Sequence, residues 1–140
     1  MIAESTVPPT GDRVLSVQEP WCSLLLSAHK PIENRTWATP YRGWVWLHTG
    51  TKPAYGPRSW PSLAAYLPGD VPLPSYESLR FRCVLGRAWL ADCLPLQELP
   101  ASLRRHWSAE GPVCWIFERP EVLPEPIPAK GMLNLWKWKG

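Results

Sequence analysis

The sequence contains no apolar run of the roughly 18 residues that a membrane-spanning helix needs, and its polar N-terminus has no apolar signal-peptide core. These absences predict a soluble, cytoplasmic protein that does not have the membrane as a partner. The length of 140 residues is that of one ordinary domain. We expect residues 1–12, which contain two prolines, to be a flexible leader and residues 13–140 to form a single domain.

The four cysteines are not arranged for metal binding. No C-x-x-C pair occurs, and no histidine stands at zinc-finger spacing from a cysteine. Because three of the four cysteines lie in apolar runs, we interpret them as small buried thiols, with a metal site or a disulfide framework as the alternative; they are Cys22, Cys83, Cys93 and Cys114. The sequence thus predicts no metal and no other cofactor, and it does not indicate an oligomeric state.

Charge of one sign is only slightly in excess. Lys and Arg number 15 against 12 Asp and Glu, which gives a formal net charge of +3. Such an excess permits contact with phosphate but does not require it. The sequence also lacks an evident cluster of carboxylates, which argues against a metal-dependent nuclease.

Tryptophan and proline are abundant instead, with 10 and 18 residues. Many prolines stand between apolar runs, which is typical of a strand-rich fold with rigid connections. Pro20 is suited to begin a helix that ends at Pro31. Its predicted core-facing residues share helical spacing and are Trp21, Leu24, Leu25 and Ala28.

Further apolar periodicity predicts a second helix over Leu96–Trp107 and strands elsewhere. The expected strands are Val14–Val17, Trp44–Thr49, Phe81–Cys93 with a bulge or bend at Gly86, Val113–Glu118 and Met132–Lys139, together with an extended segment over Pro124–Pro128. In Trp44–Thr49, Val45 and Leu47 should point to one face, and Trp46 and His48 to the other. There is no internal repeat, and most strands are too close in sequence for crossover helices. The sequence therefore predicts an α+β, mostly antiparallel β-barrel with a few covering helices.

Three segments carry a family resemblance. Residues 28–35 read Ala-His-Lys-Pro-Ile-Glu-Asn-Arg, which is similar to the Gly-x-Lys-x-x-Glu-x-Arg motif of the ASCH (activating-signal-cointegrator homology) family, with Ala28 in place of the glycine. Tyr41-Arg42-Gly43 followed by Trp46-Leu47-His48 resembles the next family segment. Residues 113–118, 125–131 and 135–136 resemble its C-terminal signature. The resemblance implies a PUA-like β-barrel associated with RNA or other nucleic acids, and some small relatives are amidohydrolases acting on N4-acetylcytidine.

The motif supplies the main site candidates, Lys30, Glu33 and Arg35. Glu33 and Arg35 share a face if the segment is extended. A solvated surface ion pair is the plain interpretation of such a cluster. Functionally, a lysine beside a glutamate suits a nucleophile, a base or a phosphate ligand, and arginine suits phosphate.

Other candidates flank the motif or occupy matching family positions. Trp21 and Trp37 are candidates for stacking on a base, and Arg42 and Lys130 for contacting phosphate. His48 matches a family strand position, although a lone strand histidine is more often a packed side chain.

The leading hypothesis is a nucleic-acid-binding domain that holds a base or a short strand of RNA or DNA in a basic, Trp-flanked cleft. The alternative is an amidohydrolase acting on N4-acetylcytidine or a related modified nucleoside, with Lys30 and Glu33 catalytic. Thr36 could supply a hydroxyl for this reaction. Its spacing differs, however, from that of amidohydrolase relatives with a threonine three residues after the lysine.

Overall fold

A computed structural model describes residues 7–140, and they contain one six-stranded sheet in the order β2-β5-β4-β3-β1-β6. The strands are β1 Arg13–Ser16, β2 Ile32–Arg35, β3 Gly43–Thr49, β4 Cys83–Pro95, β5 Val113–Pro128 and β6 Leu135–Lys137. The helices are α1 Trp21–Leu26, α2 Trp60–Tyr66 and α3 Ala101–Arg104, with 3-10 turns at Pro57–Ser59, Tyr76–Ser78 and Leu96–Glu98. Among these described strands, only β1 and β3 pair in parallel. The predicted α+β, mostly antiparallel architecture is confirmed.

The sheet curls into a half-barrel. In the strand order, β2 stands at one edge and β1 lies four places away. Arg35 on β2 nevertheless donates a hydrogen bond from Nη2 to the Ser16 carbonyl at the end of β1. This contact bridges the open seam of the half-barrel, because sheet hydrogen bonds do not join the two strands.

The two faces of the sheet carry different apolar clusters, as strand alternation requires. Val45 and Leu47 pack with Leu25 of α1 in the core inside the half-barrel. Trp46 packs on the opposite face with Trp136 and Trp138. The predicted alternation of β3 is confirmed. All four cysteines are free and buried, as expected.

Helix α1 is shorter than predicted, because it ends at Leu26 and not at Pro31. The Ala28 N–H donates to the Leu25 carbonyl and the His29 N–H to the Leu24 carbonyl, which are the paired bonds of a Schellman ending. Ala28 takes φ +66° and is exposed, so the prediction that it faces the core is wrong. Its left-handed backbone explains why the family motif has glycine there.

The predicted helix over Leu96–Trp107 is also wrong. It is divided into the Leu96–Glu98 turn and the four-residue α3. Pro100 has no N–H to continue a helix, and it restricts Leu99 to extended backbone with ψ 145°. Leu99 is buried against Ile32 and Ile116 instead.

Strands β4 and β5 form the longest ladder. The predicted bulge at Gly86 is confirmed by a register shift between Val84 and Gly86. Strand β5 is continuous, so the predicted Val113–Glu118 strand and Pro124–Pro128 segment are parts of one element. The last strand is shorter than predicted and covers Leu135–Lys137.

The predicted leader lies partly outside the described residues, which begin at position 7. Within it, the Gly11 N–H donates to the Trp138 carbonyl at 2.8 Å, and Asp12 accepts from the Trp46 indole at 3.0 Å. Hydrogen bonds that tie the chain to the sheet therefore begin before Arg13, within the segment predicted as a leader.

Candidate functional site

The ending of α1 turns the chain inward and buries Lys30, which is 4% exposed. Its ammonium donates to the Ile32 carbonyl and, at 3.0 Å, to Glu33 Oε1. It also lies 5.8 Å from the centre of the Trp21 ring, within cation–π range. An ammonium is seldom this buried unless it is paired, and here Glu33 supplies the pair.

Strand β2 places Glu33 and Arg35 on one face, as its alternation predicts. Arg35 Nε and Nη2 lie 3.1 and 3.0 Å from Glu33 Oε2. Glu33 thus joins both cations in what we call the triad, Lys30–Glu33–Arg35. The side chains of Glu33 and Arg35 are 10% and 23% exposed. The interpretation as a solvated surface ion pair is therefore wrong.

The triad lies in the wall of a cavity of about 870 Å³. One side is formed by the end of β1, α1 and β2. The others are formed by residues 55–66, which include α2, and by residues 107–110. The aromatic lining residues are Trp21, Tyr55, Tyr66 and Trp107. A site of this size accommodates a small ligand.

Asn34 fastens one wall of this cavity. It points to the opposite face of β2 from the triad, and its Nδ2 donates to the Ser108 carbonyl at 2.9 Å. Its Oδ1 accepts from the N–H groups of Glu110 and Gly111 at 3.0 and 2.8 Å. One side chain thereby ties residues 108–111 to the strand that carries Glu33 and Arg35.

The positive charge of Lys30 also acts on His106, which is hydrogen-bonded to Ser108 of the same wall. Burial lowers the pKa of His106, and the positive charge of Lys30 lowers it further. The Ser108 N–H donates to His106 Nδ1, so that nitrogen carries the lone pair and the imidazole is held as its Nε2–H tautomer.

The charged residues lining the cavity balance one another. Lys30 and Arg35 contribute two positive charges, and Glu33 and Glu110 two negative charges. The formal sum is zero. The expectation of a basic cleft is therefore wrong for this cavity, although its Trp-flanked character is present.

The structure brings together four of the predicted site residues, Trp21, Lys30, Glu33 and Arg35, and places the other five outside the cavity lining. Thr36 is exposed beyond the end of β2. Trp37 packs edge-on against Trp115 at 4.8 Å and accepts the Trp115 indole N–H at its carbonyl. These two positions do not face a ligand in the cavity.

The remaining three also have other surroundings. Arg42 pairs with Asp92 at 2.9 Å on the surface. His48 is buried, bonds the Ser16 hydroxyl at 2.9 Å and the Ala129 carbonyl at 2.8 Å, and has a pKa lowered by desolvation. Lys130 is exposed. His48 thus matches the packed-histidine interpretation.

Several lining residues were not singled out from the sequence. Asn34 stands at an unassigned position inside the motif, where strand alternation directs it away from the triad. Trp107 was placed at the end of a helix that does not form. Tyr55, Tyr66, Ser108 and Glu110 come from connecting segments without a motif, and no local signal identifies them.

Comparisons with known proteins agree with the motif. The family model described as ASCH domain matches residues 15–127. Activating signal cointegrator 1 of Homo sapiens is 34% identical over 134 residues, and its counterpart in Mus musculus is 33% identical. Each alignment covers 91% of this chain but 22% of the relative, so the chain spans about a fifth of the length of these relatives.

The solved structures include a crystal structure of a serine-to-alanine mutant of the ASCH protein from Zymomonas mobilis. It has 14% sequence identity and a TM-score of 0.46, and the match covers 87% of this chain and 77% of the other. No helix within residues 7–140 has the length and apolar character needed to cross a membrane. Because the family model matches residues 15–127, which are most of the chain, the chain belongs to the ASCH domain family.

Proposed function

We propose that this domain binds nucleic acid by holding a base in the cavity beside the triad. The observation that carries the proposal is that the three charged residues of the family motif and Trp21 line one cavity of about 870 Å³. ASCH domains are generally associated with RNA binding. The relatives named activating signal cointegrator 1 are much longer, so their other parts carry no information about this chain.

The lining suits a base chemically. Aromatic side chains stack on bases at about 1–3 kcal/mol per base, and the cavity has four of them. Trp21 lies 5.8 Å from the Lys30 ammonium, and its ring centroid lies 6.3 Å from that of Tyr55 in an edge-to-face arrangement, so both contacts restrict the ring before a ligand arrives. Fixing a binding group in advance lowers the entropic cost of association.

Filling the cavity tests the proposal. Ser62 lines the cavity from α2, whereas Ala64 lies on the same helix, is exposed and is not part of the lining. We expect Ser62→Trp to abolish binding of short labelled RNA or DNA single strands, measured by fluorescence anisotropy, while Ala64→Trp binds like the parent. Equal binding by both variants, with unchanged melting temperatures, would place the nucleic-acid site elsewhere.

A second candidate function is hydrolysis of N4-acetylcytidine to cytidine and acetate. The buried Lys30–Glu33 pair at the wall of a charge-balanced cavity favours it. Against it, Thr36 lies outside the lining, and within residues 7–140 Lys30 Nζ bonds only Ile32 and Glu33 and no hydroxyl. Incubation with N4-acetylcytidine, followed by chromatography for released cytidine, decides between an enzyme and a binding domain. A Lys30→Met variant serves as the matched control.

A further inference from the structure

We propose that the domain has a second surface, which binds the phosphate groups of a nucleic-acid strand. It consists of Arg13 on β1, Lys137 on β6 and Lys139 just after β6, and we call it the basic cluster. None of these three residues lines the cavity beside the triad. The inference goes beyond the proposed function, because it does not require a base to enter that cavity.

The pairing of β1 with β6 brings the first two cations together. The two strands are antiparallel, and Arg13 stands directly opposite Lys137. Residues in such a pair project from the same face of the sheet, with Cβ atoms about 5 Å apart, and like charges there are destabilising. By contrast, Arg87 on β4 stands opposite Glu121 on β5 and forms an ion pair with it at 2.6 Å.

Lys139 extends the same row of charge. The Trp138 N–H donates to the Asp12 carbonyl at 2.7 Å, and the Gly11 N–H donates to the Trp138 carbonyl at 2.8 Å. These bonds continue the β1–β6 ladder past Lys137, so strand alternation places Lys139 on the same face as Lys137. Both lysines are exposed.

The basic cluster has no paired carboxylate within residues 7–140, since none of its three cations belongs to an ion pair there. The acidic residue next to it in sequence is Asp12. Its carboxylate accepts from the indole of Trp46, which packs on the opposite face of the sheet. With Asp12 included, the side chains of this region still sum to a formal charge of +2. A bound anion would relieve the repulsion between Arg13 and Lys137.

Arg13 is restrained before any ligand arrives. Its guanidinium carbon lies 5.5 Å from the centre of the Tyr41 ring, within cation–π range, and its side chain is half-buried. Restraining a long side chain in advance lowers the entropic cost of binding. The planar fork of N–H donors that a guanidinium presents matches the oxygen atoms of a phosphate.

The chemistry of the basic cluster fits a phosphate backbone better than a protein partner. Trp136 and Trp138, which alternate with the lysines, are buried on the opposite face, so the exposed side chains offer charge without an apolar anchor. Protein interfaces derive most of their affinity from buried aromatic and arginine anchors, whereas charge alone suffices for phosphates. Lys137 and Lys139 lie about 7 Å apart along the strand, which is close to the spacing of consecutive phosphates in an extended single strand.

Fluorescence anisotropy with labelled single-stranded oligo(dT) and oligo(dA), titrated into the full chain over a range of salt concentrations, tests the proposal. The test variant combines Lys137→Gln with Lys139→Gln. Its matched control combines Arg80→Gln with Arg82→Gln, which removes two exposed positive charges that belong neither to the cavity lining nor to the basic cluster.

The test variant should bind both strands more weakly, with a log–log salt slope shallower than that of the parent by about 1.4, because each single-strand phosphate contact contributes about 0.7. Its fold difference from the parent should therefore shrink about sevenfold between about 50 and 200 mM salt. The loss should be the same for both strands, since phosphate contacts carry no sequence information. If the lysines serve only to keep an edge strand from pairing with other chains, the test variant will match the control, and the proposal is overturned. A loss confined to one sequence would also overturn it.

A charge reversal separates binding from folding. Lys137→Glu places a carboxylate opposite Arg13, so it should melt at or above the temperature of the parent while it binds either strand more weakly than Lys137→Gln. A Lys137→Glu variant that melts well below the parent would show that the lysine is structural, and the inference would fail.

Ser62→Trp distinguishes this inference from the proposed function. If Ser62→Trp abolishes strand binding but the double lysine variant matches its control, the inference fails and the proposed function stands. If the lysine variant loses affinity and Ser62→Trp does not, the basic cluster stands and the cavity does not hold a base. If the parent binds neither strand, both proposals fail.

Discussion

Replacing Glu33 by glutamine should destabilise the domain strongly, because it leaves the buried Lys30 ammonium and the partly buried Arg35 guanidinium without their carboxylate. Glu33 is 8% exposed and lies 3.0 Å from Lys30 Nζ and from Arg35 Nη2. The amide introduced by the substitution would keep the shape of the side chain and one acceptor but lose the negative charge. Both ammonium and guanidinium would then remain in a poorly solvated site.

The size of the effect follows from the burial. Removing one partner of a buried pair costs about 3–5 kcal/mol. For a chain of 140 residues, each kcal/mol lowers the melting temperature by roughly 3–5 °C, so Glu33→Gln should melt about 10–25 °C below the parent. The matched control is Asp92→Asn. It breaks the Arg42 pair, whose side chains are 36% and 45% exposed, and should cost at most about 1 kcal/mol.

Calorimetry or circular dichroism melts at pH 7 and two salt concentrations give the answer. The Asp92→Asn effect should shrink with salt, whereas the Glu33→Gln effect should persist, because buried pairs are weakly screened. Adding Lys30→Met to Glu33→Gln should recover part of the loss by removing one stranded cation. A Glu33→Gln variant that melts within about 3 °C of Asp92→Asn, on the scale of about 1 kcal/mol, would refute the view that the triad is poorly solvated.

Three further predictions concern the backbone, the histidines and the cavity wall. Ala28→Gly should stabilise the domain by about 0.5–1 kcal/mol in urea unfolding, because glycine accepts the left-handed φ of +66°, whereas Ala65→Gly inside α2 should destabilise it. Since the folded pKa values of His48 and His106 lie below the unfolded value of 6.5, the unfolded chain binds more protons and stability should fall as pH drops below about 6.5; urea midpoints that do not change from pH 8 to 5 would contradict this. Asn34→Ala should weaken binding of short single strands, because it removes the three hydrogen bonds that hold residues 108–111 to β2; a titration curve equal to that of the parent would remove its positioning role.

The parts of the site that could be predicted are those set by local periodicity. Two-residue alternation predicted that Glu33 and Arg35 lie on one face of a strand. In β3 the same rule predicted that Val45 and Leu47 lie on one face of the sheet. It predicted the opposite face for Trp46 and His48. The bulge at Gly86 was predictable for a similar reason, because glycine within an apolar run marks a close approach of backbones. Each of these depends only on neighbouring residues.

The unpredicted parts depend on distant contacts. Residues 96–107 have helical periodicity, but Pro100 divides them and the buried Leu99 packs against Ile32, far away in sequence. The walls at 55–66 and 107–110 close around the triad from segments far from it in sequence, and Asn34 ties residues 108–111 to β2. No pattern in either segment indicates this closure.

Asn34 shows that a motif does not identify every residue of its strand that shapes the site. The alternation that points Glu33 and Arg35 to one face of β2 must point Asn34 to the other, and the motif specifies no residue type at its position. That opposite face meets residues 108–111, and the Asn34 amide bonds three backbone groups there. One face of strand β2 therefore carries the charged residues of the cavity, and the other face holds residues 108–111 in place. Because both depend on one register with β5, a one-residue slip would misplace the triad and release the wall together.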